Sequence, residues 1–275
     1  MMAPTDQSAG PRPVTRRQLD LMTWAEAQAF LQHSDAAILP VGSIEIHGSH
    51  LPLGNDHLTA WAVARLAAAR CDAVVLPPLA YTWTGATRPF AGTVSIPADL
   101  VIQFVKAICT SLIERGFRRI VLVSVHGPDS WTLSLAGRQI FEEQGVPVAF
   151  FNPFPLDART GQLLGELGAQ FARREAEDPG FTEPSLLLAA GEVLGLGELV
   201  DLEAEPLVPV PQPPAQQEVK RRGTVGFYYT DPSQHVPKPA NPSRELGRQG
   251  LEAAAALLAQ LIEELAEYRH SLGQA

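Results

Sequence analysis

Glu45, His47 and Asp56 lie in one short stretch, GSIEIHGSHLPLGNDH (residues 42–57), which also carries His50 and His57. Glu45 and His47 are two positions apart, so in an extended chain they project to the same side. Asp56 follows a Leu-Pro-Leu-Gly turn that could return its carboxylate to the same point and let it bridge two ions. Imidazole with carboxylate is the ligand set of zinc, manganese or iron, rather than of calcium or magnesium alone. Two such ions about 3.5–4 Å apart can hold a water, lower its pKa and polarise a carbonyl. A second polar cluster, His126-Gly127, follows the apolar run Arg119–Val125. A lone histidine is more often a hydrogen-bonding loop residue than a ligand, and His33, His235 and His270 are read that way. His50 and His57 are read as flanking or substrate-facing groups. From spacing alone, a metal site and a polar loop both stay open.

Such clusters need a scaffold that brings them together. Apolar and helical patterns alternate along the chain: strand Ala36–Ile44, helix Leu58–Arg70, strand Ala73–Leu79, helix Ala98–Arg115 closed by Gly116, strand Arg119–Val125. Helix Trp131–Gln144 closed by Gly145, strand Val146–Phe151 and helices Gly161–Glu177 and Ser185–Leu194 follow. Strands joined by crossover helices predict one α/β sandwich with a mostly parallel sheet covered on both faces. Ligands bind at the C-terminal strand edge of such sheets, which is where both polar clusters fall, so Glu45 and His126 are expected to converge. The Pro-rich segment Glu205–Gln217 predicts an extended surface loop. Asn241-Pro242 predicts an N-cap and first helical position ahead of an amphipathic terminal helix, Arg244–Arg269.

At 275 residues, 45% hydrophobic and 19% charged, the chain suits one large domain, expected over residues 18–270. Residues 1–17 are polar and Pro-rich and predict a disordered leader without a signal-peptide core. A net charge of −9 argues against nucleic-acid and anionic-membrane partners, and Lys220-Arg221-Arg222 reads as a solvated turn. No apolar run reaches the roughly 18–20 residues a bilayer span needs. Cys71 and Cys109 form no CxxC motif or disulfide framework, which points to a reducing cytoplasm.

The run Glu45-Ile46-His47-Gly48-Ser49-His50-Leu51-Pro52-Leu53-Gly54-Asn55-Asp56 resembles the Glu-x-His-Gly-x-His-Leu-Pro-Leu-x-x-Asp pattern of the creatininase (creatinine amidohydrolase) family. Further blocks are similar in the same order: Phe90-Ala91-Gly92-Thr93-Val94-Ser95, Gly116 to His126, Phe181-Thr182-Glu183-Pro184-Ser185, and Gly223–Gly226 with the terminal helix. The resemblance runs from about Leu19 to Leu265. It implies a three-layer α/β/α fold, frequently a hexamer, with two divalent ions (zinc first, manganese or iron as alternatives) that hydrolyse C–N amide bonds, often cyclic. The implied ligands are Glu45, His47, Asp56, His126 and Glu183. Asp56 would bridge, with Glu45 and His126 on one ion and His47 and Glu183 on the other.

Departures from the family pattern cluster at the site. Ser124-Val125-His126-Gly127-Pro128-Asp129 stands where the family has Asn-Gly-His-Gly-Gly-Asn, so two glycines are lost and Pro128 removes an N–H. Asp178 replaces a family histidine, and Thr87 stands where many members have one. The expected catalytic groups are Glu183, His126 and Asp178, and a carboxylate at 178 is a poorer acid near neutral pH, which argues against creatinine itself as substrate. His50, His57, Thr87 and Trp131 are expected to face the substrate, and Trp83, Tyr228 and Tyr229 are further candidates to line the pocket. The leading expectation is a metal-dependent amidohydrolase acting on a small amide. The rivals are a peptidase or deformylase on the same dinuclear site, and a catalytically silent metal-binding scaffold.

Overall fold

A computed structural model describes residues 17–154, 164–223 and 225–273. Of the expected leader only Arg17 is among the described residues, and positions 161–163 of an expected helix and position 224 of the closing block also fall outside them. Four strands, β1 (Ala36–Pro40), β2 (Ala73–Val75), β3 (Arg119–Val123) and β4 (Val148–Phe151), form a parallel sheet in the order β2-β1-β3-β4. Ala36 pairs with Ala73 on one side and Arg119 on the other, which puts the C-terminal ends of β1 and β3 level. The eight described helices are α1 (Trp24–Phe30), α2 (Asn55–Ala68), α3 (Ala98–Glu114), α4 (Asp129–Gln144), α5 (Gly165–Glu177), α6 (Thr182–Leu194), α7 (Pro214–Arg222) and α8 (Arg244–Ser271).

Alternation along the strands divides the core in two. Ile38, Val75, Val121 and Val123 point to one face and pack with α2, α6 and α8. Leu39, Val74, Ile120 and Leu122 point to the other and pack with α3 and α4. Every residue of β1 is buried, as expected of a strand covered on both faces. The result is the three-layer α/β/α sandwich. Fully burying each branched side chain contributes about 1.5–3 kcal/mol, so the sheet is held chiefly by these two apolar layers.

Several elements differ in extent from their sequence patterns. β1 and β3 stop at Pro40 and Val123, because the last apolar residues of each run leave the ladder to build the site described below. β2 stops at Val75, ahead of Pro77 and Pro78, which have no N–H to donate. Residues 205–213 carry no helix or strand, but α7 begins at Pro214 and takes Lys220-Arg221-Arg222 into its last turn, where cations complement the helix dipole. The N-cap of α8 is Ser243, whose Oγ accepts the Leu246 N–H at 3.2 Å, and not Asn241. Helix α1, for which the sequence reading had no helix, begins with a capping box between Thr23 and Glu26. Cys71 and Cys109 are buried and unpaired by disulfide. No described helix is long and apolar enough to cross a membrane.

Candidate metal centre

Beyond Pro40 the chain runs against the start of α2. A side chain on Gly42 would collide with the main-chain nitrogen of His57, so this approach requires glycine. It lets the Ser43 hydroxyl donate to Oδ2 of Asp56 at 2.8 Å. The chain then turns through Glu45, whose N–H bonds the Leu53 carbonyl at 2.9 Å, and returns as α2 with Asn55 and Asp56 buried in its first turn. From β3, the Ser124 hydroxyl receives the His126 N–H at 3.0 Å and donates to Asp129 at 2.8 Å, folding the next turn so that His126 lies beside Glu45. Glu183 comes from the first turn of α6.

These elements bring Glu45, His47, Asp56, His126 and Glu183 together. Ligand atoms of Glu45, Asp56 and His126 lie within 4.8 Å of one another, and so do those of His47, Asp56 and Glu183. Asp56 belongs to both groups. Its Oδ1 is 3.1 Å from His47 Nε2, and its Oδ2 is 2.9 Å from His126 Nδ1. His126 Nδ1 is also 2.8 Å from Glu45 Oε1, and His47 Nε2 is 3.6 Å from Glu183 Oε2. The far nitrogen of each ring is held by a main-chain carbonyl: His126 Nε2 by Trp83 at 3.0 Å, and His47 Nδ1 by Glu45 at 3.1 Å. These bonds fix the far nitrogen of each ring and turn the other toward the carboxylates, where loss of its proton would free a lone pair for a metal, as a ligating histidine needs.

The electrostatics test the fit of a cation. Burial pushes the His47 imidazole toward neutrality, but Asp56, with Glu183 and Glu45 behind it, pulls its pKa up to about 10. Burial is likewise overridden at His126, where Glu45 and Asp56 hold the ring protonated well above its usual range. The carboxylates respond in kind: burial disfavours their charge, yet His126 holds Glu45 low and His47 holds Asp56 well below the ordinary range. Glu183 is different, since desolvation raises it to about 7 with Asp56 and Glu45 adding repulsion. The cluster thus demands positive charge, and its donors are the carboxylate and imidazole types that suit divalent transition ions. The residues fit a divalent metal ion.

Other expected site residues fall into distinct places. Thr87 is buried and its hydroxyl donates to Glu45 Oε2, so it orients that carboxylate. His50 is buried with neither ring nitrogen bonded, and burial, Lys238 and His47 lower its pKa to about 4. His57 Nδ1 is 3.3 Å from the Ser43 carbonyl and belongs to none of the three-residue groups. Trp131 is 58% exposed and packs on Trp83, ring centroids 6.0 Å apart. Asp178 is not brought to the cluster: its two oxygens accept the N–H groups of Ala240 (2.8 Å) and Asn241 (2.9 Å), tying α5 to the approach of α8.

Two further residues lack a signal in the motif itself. Asn55 Nδ2 donates to Glu183 Oε2 at 3.0 Å and to Asp56 Oδ1 at 3.1 Å. His235 joins Glu45 and His47 in a third group within 4.8 Å, its ring centroid 5.1 Å from that of His47 and 5.5 Å from that of Tyr229. It arrives on a segment that crosses the Gly48 turn, where φ is 66° and a side chain would strike the Val236 carbonyl. Burial first, then His47, lowers the His235 pKa to about 4, so the ring is neutral. Tyr228 is exposed. Beside Asp56 and Glu183 opens a cavity of about 530 Å³, walled by α5, the start of α6 and residues 235–237.

Comparison with known proteins matches the chain to one family. The profile of the family described as creatininase, creatinine amidohydrolase, matches residues 20–262. The creatinine amidohydrolase of Pseudomonas putida is 31% identical over 196 residues, covering 66% of this chain and 73% of that protein. A mycofactocin precursor peptide peptidase of Mycobacterium tuberculosis (strain CDC 1551 / Oshkosh) is 35% identical over 119 residues, 38% of this chain and 45% of the peptidase. Among solved structures, a mutant creatininase of Zn-Zn type superposes with a TM-score of 0.71 at 25% identity, covering 90% of this chain and 98% of that one. A manganese creatininase gives 0.69 at 25% identity over the same shares.

Proposed function

The chain belongs to the creatinine amidohydrolase family, and from there we propose that it is a metal-dependent hydrolase that cleaves a C–N amide bond of a small molecule. The family supports hydrolase chemistry, and the division of Asp56 between two ligand groups is the observation that carries the metal reading. Two ions held there, of the zinc or manganese kind named for creatininase structures, would supply an activated water and polarise the amide carbonyl.

The protein's own residues set up that chemistry. Glu45 and His126 would hold one ion, His47 and Glu183 the other, and Asp56 both. Thr87 and Asn55 keep the carboxylates turned inward, and main-chain carbonyls lock the two imidazoles. His235 lies on the substrate side, within reach of Glu45 and His47, as a neutral group able to hydrogen-bond the reacting amide. His50 and Trp131 stand farther out as candidate contacts for the substrate. The cyclic amide remains the leading substrate type. A cytoplasmic homo-oligomer, a hexamer by resemblance to the family, belongs to the same proposal.

Similarity to the mycofactocin precursor peptide peptidase favours a second reading on the same centre, cleavage of a linear peptide. A panel of lactams and short peptides, assayed with zinc- or manganese-loaded protein before and after chelation, separates the two. Turnover confined to one class and lost on chelation supports that reading. Turnover that survives chelation overturns both.

A further inference from the structure

The cavity beside Asp56 and Glu183 has a chemistry of its own. Its volume, about 530 Å³, lies within the roughly 300–1,000 Å³ usual for small-molecule pockets. Val125, Phe154, Phe171, Leu186, Val236 and Pro237 give the wall its large apolar side chains, and no lysine or arginine lines it among the described residues. Glu175 also lines it but is already satisfied: Oε1 accepts the Gly180 N–H at 2.6 Å, and Oε2 accepts the Thr182 N–H at 2.9 Å and hydroxyl at 2.7 Å. Asp56 and Glu183 are committed to the candidate ions. Among the described residues, the wall therefore offers no spare charge of either sign. It does offer three buried, uncharged polar atoms without a partner, Asn55 Oδ1, Thr59 Oγ1 and His235 Nε2. Leaving such atoms unpaired is costly, so they are suited to a ligand's amide hydrogen.

We propose that the substrate carries an uncharged apolar group, aliphatic or aryl, beside its scissile C–N bond, and that this cavity seats it. The inference rests on the hydrolase reading above and adds the substrate class. A substrate whose neighbouring group is anionic, as a phosphate would be, finds no cation there, and a cationic one finds its carboxylates already engaged. An apolar group gains by leaving water for this wall, and the substrate amide pairs with Asn55 and Thr59.

The test needs no substrate. Binding of three hydroxamates to the zinc-loaded full chain is measured by calorimetry: acetohydroxamate, phenylacetohydroxamate and 6-aminohexanohydroxamate. Phenylacetohydroxamate is expected to bind at least about tenfold tighter than acetohydroxamate, the scale on which apolar pockets discriminate. Ala172→Trp, which fills the cavity from α5, should reduce that preference to within about twofold and leave acetohydroxamate affinity unchanged. Ala176→Trp, one turn along the same helix face, serves if the first variant does not fold. Equal affinities in the parent protein, tightest binding of the ammonium compound, or a preference that survives the tryptophan overturns the inference and leaves the metal centre standing. Failure to take up zinc overturns the hydrolase reading, and the inference with it.

Discussion

Asn55 donates a hydrogen bond from Nδ2 to Oε2 of Glu183 across 3.0 Å, linking the first turn of α2 to the first turn of α6. The same nitrogen bonds Asp56, so one amide orients carboxylates in the group around His47. Groups that orient metal ligands in this way typically contribute 10–100-fold to metal affinity. Asn55→Ala should therefore weaken one of two zinc-binding steps by about that factor in a chelator-competition titration. Two unchanged steps would show that Glu183 is placed without it.

Thr87 does for Glu45 what Asn55 does for Glu183. Thr87→Val keeps the shape and removes the hydroxyl donor to Oε2, leaving a buried carboxylate oxygen unpaired. The expected outcome is roughly tenfold weaker zinc at the other step, with Thr87→Ser restoring it. Equal losses for valine and serine would mean that Thr87 acts by packing alone.

Metal uptake must displace protons. The His47 pKa, about 10, and the raised value at His126 exceed the 6.5 of a free imidazole, so both groups stabilise the metal-free fold most below pH 6.5. That stabilisation is lost as pH rises through the folded values. Glu45 and Asp56 are shifted the other way, and their contribution is lost as pH falls through the carboxylate range. The Tm of chelated protein should fall between pH 7 and 10 (about the folded value of His47), while zinc affinity climbs over the same window with net proton release. A zinc affinity indifferent to pH would contradict protonated His47 and His126.

Much of this architecture was legible because it is written locally. Runs such as Arg119–Val125 are apolar on both faces, which only a strand between two helical layers satisfies, and Gly145 closes α4 in the left-handed region where glycine is favoured. Glu45, His47 and Asp56 stand close enough in the chain for their spacing to speak. His235 does not: nothing about its neighbours distinguishes it from His33, and its place comes from contacts made far away, the Val236 carbonyl over Gly48 and the Tyr229 N–H on the Ala86 carbonyl at 3.0 Å. Asn55 was hidden for a related reason. An asparagine at the start of a helix reads as a local cap, and its partner lies 128 positions onward. The sequence alone puts the α8 cap two residues early because Asn241 and Ser243 both suit the role, and Asp178 takes up the Asn241 N–H.

Asp178 and His235 invite a direct comparison. Asp178→Asn weakens two charge-assisted bonds to the main chain, so its Tm should drop while kcat stays within about threefold of the parent. His235→Ala should do the reverse, lowering kcat roughly 10²–10³-fold, the range for losing one positioned hydrogen bond to the reacting group, with zinc content unchanged. A large kcat loss at Asp178 with full stability would restore it to the reacting centre.

Turnover also decides whether the centre is working or silent. His126→Ala or Glu183→Gln should abolish hydrolysis while circular dichroism remains that of the parent. Undiminished activity in either variant would remove that residue from the reaction.

The most direct measurement is zinc-edge anomalous diffraction from crystals of the zinc-loaded protein. Two peaks about 3.5–4 Å apart are expected, one against Glu45 and His126, the other against His47 and Glu183, with Asp56 reaching both. No peak at this cluster, or zinc bound elsewhere with Asp56 free, would contradict the account.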